Sequence, residues 1–173
     1  PAEDMMAGRL REPVVFMNAA LRGFNATIDP LGTSNELRNY ASAMEQDPWR
    51  APSVFNYFHL AHGTFHGDHG NHADGPEFAI HTQTGSLSRA DFIDELSRNS
   101  LGNVSLDFTA LRAMSDDTVA LMDAVASRLR HHALTDADRD VIAAALDQQT
   151  DGSMRVRMAI YLIANTRAWV QGQ

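Results

Sequence analysis

Residues Ser115 to His131 read SDDTVALMDAVASRLRH, and this stretch decides the fold class. Val119, Met122, Val125, Ala126 and Leu129 recur at helical spacing and define a predicted core face. Ser115, Asp116 and Asp117 supply a cap and negative charge at the N-terminal end, while Arg128, Arg130, His131 and His132 complement the dipole at the other. The pattern continues towards the C-terminus. Thr135 caps a second helix, with Asp138 at its third position and Val141, Ile142, Ala145 and Leu146 as apolar positions. Asp151 or Ser153 opens a last helix, predicted to run to about Val170 through Met154, Met158, Tyr161, Leu162 and Trp169.

Towards the N-terminus the reading is the same. Ser88 to Arg98 is predicted as a helix with Phe92, Ile93 and Leu96 inward, its Ser88 and Asp91 resembling a capping box. Gly102 to Arg112 is expected to hold one short helix. A first helix starts near Glu12 with Pro13 in its opening turn, carries Leu10, Val14, Met17, Leu21 and Phe24 on one face, and ends at Gly23 as a cap. Asp29-Pro30 and Gly32 mark a turn. Thr33 or Ser34 then caps a helix to about Gln46, with Leu37, Tyr40, Ala41 and Met44 apolar and Asp47-Pro48-Trp49 ending it. The expected fold is therefore all-α: an irregular bundle of about six helices in a single domain over residues 1–173, broken by one long His/Gly-rich loop.

That loop belongs to the stretch APSVFNYFHLAHGTFHGDHGNHADGPEFAIH, Ala51 to His81, which holds six of the eight histidines. His59, His62, His66, His69 and His72 are spaced three, four, three and three apart, with His81 following. Imidazoles so grouped are ligands for zinc or copper, and Asp68, Asp74 and Glu77 could complete a mixed shell. Gly63, Gly67, Gly70 and Gly75 argue against a continuous helix over residues 59–81 but let a backbone wrap closely around an ion. The competing reading is a solvated His/Gly/Asp loop that meets water or a partner chain. The apolar residues Phe55, Tyr57, Phe58, Phe65 and Phe78 read as core, or as a partner surface or pocket wall, before they read as a cofactor box.

Composition narrows the function classes. A net charge of −8 opposes binding to nucleic acid or to anionic membrane surfaces. There is no cysteine, so disulfides, thiolate ligands and a cysteine nucleophile are excluded. All 14 basic residues are arginine, which removes Schiff-base lysine chemistry. No apolar run approaches the roughly 18 residues of a membrane-spanning helix. The opening residues lack the pattern of a signal peptide, and a start at Pro1 reads as a processed or excised piece of something longer.

Four segments then point to a family. PSVFNYF (52–58), PEFAIHT (76–82), GRLREP (8–13) and RVRMAIYLIANTRAWVQ (155–171) occur in an order that resembles the C-terminal third of the bacterial domain of unknown function 1800 family. The resemblance implies a mostly helical bacterial protein, often exported to the periplasm or beyond, with no established activity and no catalytic residues to carry over. It also implies that the chain is the last part of a longer protein whose N-terminal part is elsewhere. One departure stands out: His59 to His72 replace a run that in the family usually contains proline and tyrosine.

Two readings follow. The first is a helical structural or interaction module that packs on another polypeptide through the Ala51–Phe58 aromatics. The alternative is a metal-dependent enzyme or metal-binding protein using residues 59–81. The first is preferred; within the second, a structural ion is favoured over a catalytic one, because no separate general base stands out beside the histidines.

Overall fold

The computed structural model describes residues 10–54, 56–57, 76–129 and 134–170. Pro13 takes the first position of helix α1 (Pro13–Gly23), where its missing N–H is no loss. The N–H of Val14 is met by Gln46 Oε1 at 2.9 Å, and Gln46 Nε2 donates to Glu12 Oε2 at 2.6 Å. Gln46, only 5% exposed, lies just past helix α2 (Glu36–Ala43), so one buried amide fastens the end of α2 to the start of α1. Gly23 is not the left-handed cap expected of it; Asn25 (φ 51°) takes that conformation. Glycine is needed at 23 for proximity, since a Cβ there would stand 2.4 Å from the carbonyl oxygen of Arg128 on the neighbouring helix.

After the chain leaves α2, a 3-10 turn (Pro76–Ile80) leads into helix α3 (Gln83–Arg98). α3 starts five residues before the expected Ser88, because Thr82 Oγ1 accepts from the N–H of Gly85 at 2.9 Å. It stops at Asn99, whose left-handed backbone (φ 58°) ends the helix and whose Oδ1 accepts from Leu106 N–H at 2.8 Å. Next come a four-residue helix α4 (Thr109–Arg112), then α5 (Thr118–Leu129), α6 (Asp136–Asp147), α7 (Gly152–Ala164) and a short α8 (Arg167–Val170). The caps expected of Thr135 and Asp151 are present: each side chain accepts from the N–H three residues on. Six of the described helices, α1, α2, α3, α5, α6 and α7, have 11, 8, 16, 12, 12 and 13 residues, so the protein is an all-α bundle of the expected size.

Two features differ from the sequence reading. Thr27–Ile28 (β1) pairs antiparallel with Val104–Ser105 (β2), a ladder too short to leave an alternating pattern in the sequence. The terminal helix is also not continuous to Val170. It breaks at Asn165 and Thr166, and α8 turns Trp169 into the core.

α7 is central, packing on α3, α4, α5, α6 and α8. Its buried face is Val156, Ala159, Ile160, Ile163 and Ala164, whose alanines allow close approach. Predicted core residues Val119, Val141, Met154 and Tyr161 are instead exposed, and Leu121, Val156 and Ile160 are inside. These helices are apolar around much of their circumference, so neighbours, not periodicity, select the buried face. The aromatic centre is Phe16, whose ring lies 4.6 Å from Trp169 and 6.1 Å from Phe92, with Tyr40 5.5 Å from Phe92.

Candidate functional site

Of the residues singled out from sequence, His59, His62, His66, His69, His72, Asp68, Asp74, Phe55, Phe58 and Phe65 lie outside the described residues, as do His131 and His132. Tyr57, Glu77, Phe78 and His81 are described, and they fall in two places.

Glu77, Phe78 and His81 sit where the 3-10 turn meets α3. The His81 ring meets Phe78 edge-on at 6.4 Å, and its Nε2 lies 3.3 Å from Ser86 Oγ. Partial burial pushes the His81 pKa below its ordinary value, and the positive charge of Arg89 acts in the same direction. His81 is therefore neutral at pH 7, the form able to ligate a metal. Arg89, on the second turn of α3, is 4% exposed; it donates to the Arg11 carbonyl at 2.8 Å and lies 4.8 Å over the Phe16 ring. Burial pushes its pKa down to about 10, which still leaves it charged. Glu77, counted from sequence among the carboxylates that could complete a metal shell, is only 7% exposed, and its Oε1 is sealed from solvent without a hydrogen-bond partner among the described residues. Such an oxygen is costly to bury unless something donates to it or coordinates it. Among the described residues no group of three or more His, Asp or Glu could hold a metal ion.

Tyr57 belongs to the second place. Its hydroxyl donates to the Asp47 carbonyl and anchors the turn at Ser53–Asn56 against the segment that follows α2. Beside that segment, a groove of about 420 Å³ runs between α1 and α2. Val14, Met17 and Leu21 form one wall, Leu37 and Ala41 the other, and Pro48 with Trp49 closes the end; Asn18 and Arg38 are its polar residues. Trp49 is fully exposed, and its backbone is left-handed at φ 66°. For a bulky L-residue that conformation costs roughly 1–2 kcal/mol, and such strain gathers where a side chain is held for a purpose. Val54, in the turn held by Tyr57, is 94% exposed. At the rim the guanidinium of Arg38 grips Asp47 with two bonds of 3.0 and 3.1 Å, while Arg50 approaches the same carboxylate at 3.8 Å. Both guanidinium groups therefore turn towards Asp47 at this edge.

The sequence reading missed this groove because it treated Asp47-Pro48-Trp49 only as a helix stop. A signal was present, since a tryptophan in a turn flanked by Pro48 and Arg50 has no helix face to carry it inward.

A family model described as a protein of unknown function (DUF1800) matches residues 2–170. No curated protein and no solved structure matches the chain. Among the described residues no helix is long and apolar enough to cross a membrane.

Proposed function

As the chain belongs to the DUF1800 family of proteins of unknown function, we propose a function from its surface: it is a helical interaction module whose α1/α2 groove receives an apolar helix face of another polypeptide. The observation that carries this reading is Trp49, an exposed and strained aromatic at the end of an apolar groove. A groove of that size accepts roughly two or three large side chains, the number one helix face offers over two turns. Arg38, the charged side chain that lines the groove, favours an occupant with a carboxylate beside its apolar face. The assembly so formed is bacterial and belongs to the envelope or the exterior, as the family resemblance implies.

The test is a fluorescence titration with a synthetic helical peptide bearing leucines at i, i+4 and i+7 and glutamates at its edges. Binding moves the Trp49 emission to shorter wavelength. Trp49→Ala weakens binding at least about 30-fold, the loss typical of a central aromatic anchor. A peptide with lysines in place of the glutamates binds about tenfold more weakly. No spectral change, or equal binding by the Trp49→Ala variant, rejects the groove as the docking site.

One observation favours a second reading, a zinc or copper ion held by His59, His62, His66, His69, His72 and His81 with Asp68, Asp74 or Glu77. The buried Oε1 of Glu77, without a hydrogen-bond partner among the described residues, stands at the end of the histidine-rich stretch. Elemental mass spectrometry on protein purified without an affinity tag is expected to find about one metal ion per chain. Glu77→Gln lowers that occupancy without loss of folding, since it neutralises a buried carboxylate. Metal-free protein from metal-replete medium, or occupancy indifferent to Glu77→Gln and His81→Ala together, removes this reading and leaves the groove untouched.

A further inference from the structure

A second groove, of about 340 Å³, lies between α3 and α7 on side chains that the docking surface does not use. Met154, Met158 and Leu162 of α7 give it an apolar wall, with the Tyr161 ring beside them; Asp91 and Asp94 of α3 face them. Its volume is at the small end of the roughly 300–1,000 Å³ typical of small-molecule sites.

The charges in this groove are unevenly spent. Asp94 is held by Arg98 at 2.7 Å. Arg157, which also lines the groove, lies 3.8 Å from the other oxygen of Asp94, beyond hydrogen-bond distance. Its side chain is 32% exposed, and its Nε is sealed from solvent without an acceptor among the described residues. Among the described residues the Arg157 guanidinium makes no hydrogen bond, and Asp91 forms no ion pair. A guanidinium with unused donors and a carboxylate with unused acceptors thus border one apolar wall.

We propose that the α3/α7 groove binds a zwitterionic small molecule of amino-acid size with an apolar side chain. Its carboxylate meets the exposed nitrogens of Arg157, its ammonium group meets Asp91, and its side chain lies along Met154, Met158 and Leu162. A ligand with only one charge forgoes one of the two charge-assisted hydrogen bonds, which is the physical basis for preferring a zwitterion. The rigid α3–α7 contact presents both charges on helices rather than on loops.

Titration calorimetry on the full chain tests this, with leucine, methionine and phenylalanine as probes. Leucine is compared with isopentylamine, which lacks the carboxylate, and with 4-methylpentanoate, which lacks the ammonium group. At least one of the three amino acids binds, and for leucine each single-charge analogue is about 10- to 100-fold weaker, the range for a lost charged hydrogen bond. Arg157→Gln weakens the amino acid and the acid but not the amine; Asp91→Asn weakens the amino acid and the amine but not the acid. No heat from any amino acid, or an amine that binds as tightly as leucine, overturns the proposal. Should a variant fail to fold, the analogue series on the unaltered protein still decides it.

Discussion

Arg155→Met will lower the stability of the protein by about 3–5 kcal/mol, the cost of leaving several acceptors out of water without their shared donor. Arg155 is 8% exposed on α7 and binds groups from two other places in the chain. Its Nε donates to the Ser115 carbonyl at 2.6 Å, its Nη1 to the carbonyls of Leu146 and Gln149 at 2.8 and 3.1 Å, and its Nη2 to Thr118 Oγ1 at 2.5 Å. Asp147, at 3.7 Å from Nη2, supplies the counter-charge. One guanidinium therefore joins the start of α5, the end of α6 and the start of α7. Methionine fills much of the same volume but strands these acceptors, each worth about 1–3 kcal/mol when left unpaired out of water. Lysine retains the charge but not the planar fork, so Arg155→Lys recovers only part of the loss. Urea denaturation followed by far-ultraviolet circular dichroism measures both variants. A change below about 1 kcal/mol for Arg155→Met would show that the network is not a determinant of stability.

Trp169→Ala is expected to cost a similar amount, about 3–5 kcal/mol, by a different route. The indole is fully buried, lies tilted against Phe16 and under the Arg11 guanidinium at 5.0 Å, and donates its Nε1–H to the Leu129 carbonyl. Truncation opens a cavity and orphans the carbonyl at the end of α5. Trp169→Phe keeps most of the volume and loses only the hydrogen bond, so it falls well short of the alanine variant. Each kcal/mol lowers the melting temperature by roughly 2–4 °C in a chain of this length, so thermal melts separate the two substitutions. Equal melting temperatures for phenylalanine and alanine would assign the whole effect to the hydrogen bond and reject the packing account.

What the sequence could disclose follows from how far each determinant reaches along the chain. The caps at Thr135 and Asp151 were legible because donor and acceptor are three residues apart. Helix content was legible for the same reason. The inward faces of α5, α6 and α7 were only partly so: Val119, Val141 and Tyr161 fit the spacing as well as the residues that are buried. The buried polar residues were silent. Gln46 and Arg155 find main-chain partners 32 and 40 residues away, and a carbonyl group has no signature in a sequence. In the candidate site, Glu77 and His81 were picked out by composition, but burial of the glutamate was not foreseeable. Trp49 was passed over because its conformation depends on a turn whose brace, the Tyr57 hydroxyl, comes later in the chain.

The bridge made by Gln46 bears on how fast the groove can work. Its amide joins the two helices that form the walls, and its own N–H bonds to the Ala41 carbonyl at 2.8 Å. Widening the groove would break buried hydrogen bonds, so the walls are set before any partner arrives. A receptor of this kind gives up little conformational freedom on association. Encounter then needs no rearrangement, and differences in affinity among partners appear as differences in residence time rather than in capture rate.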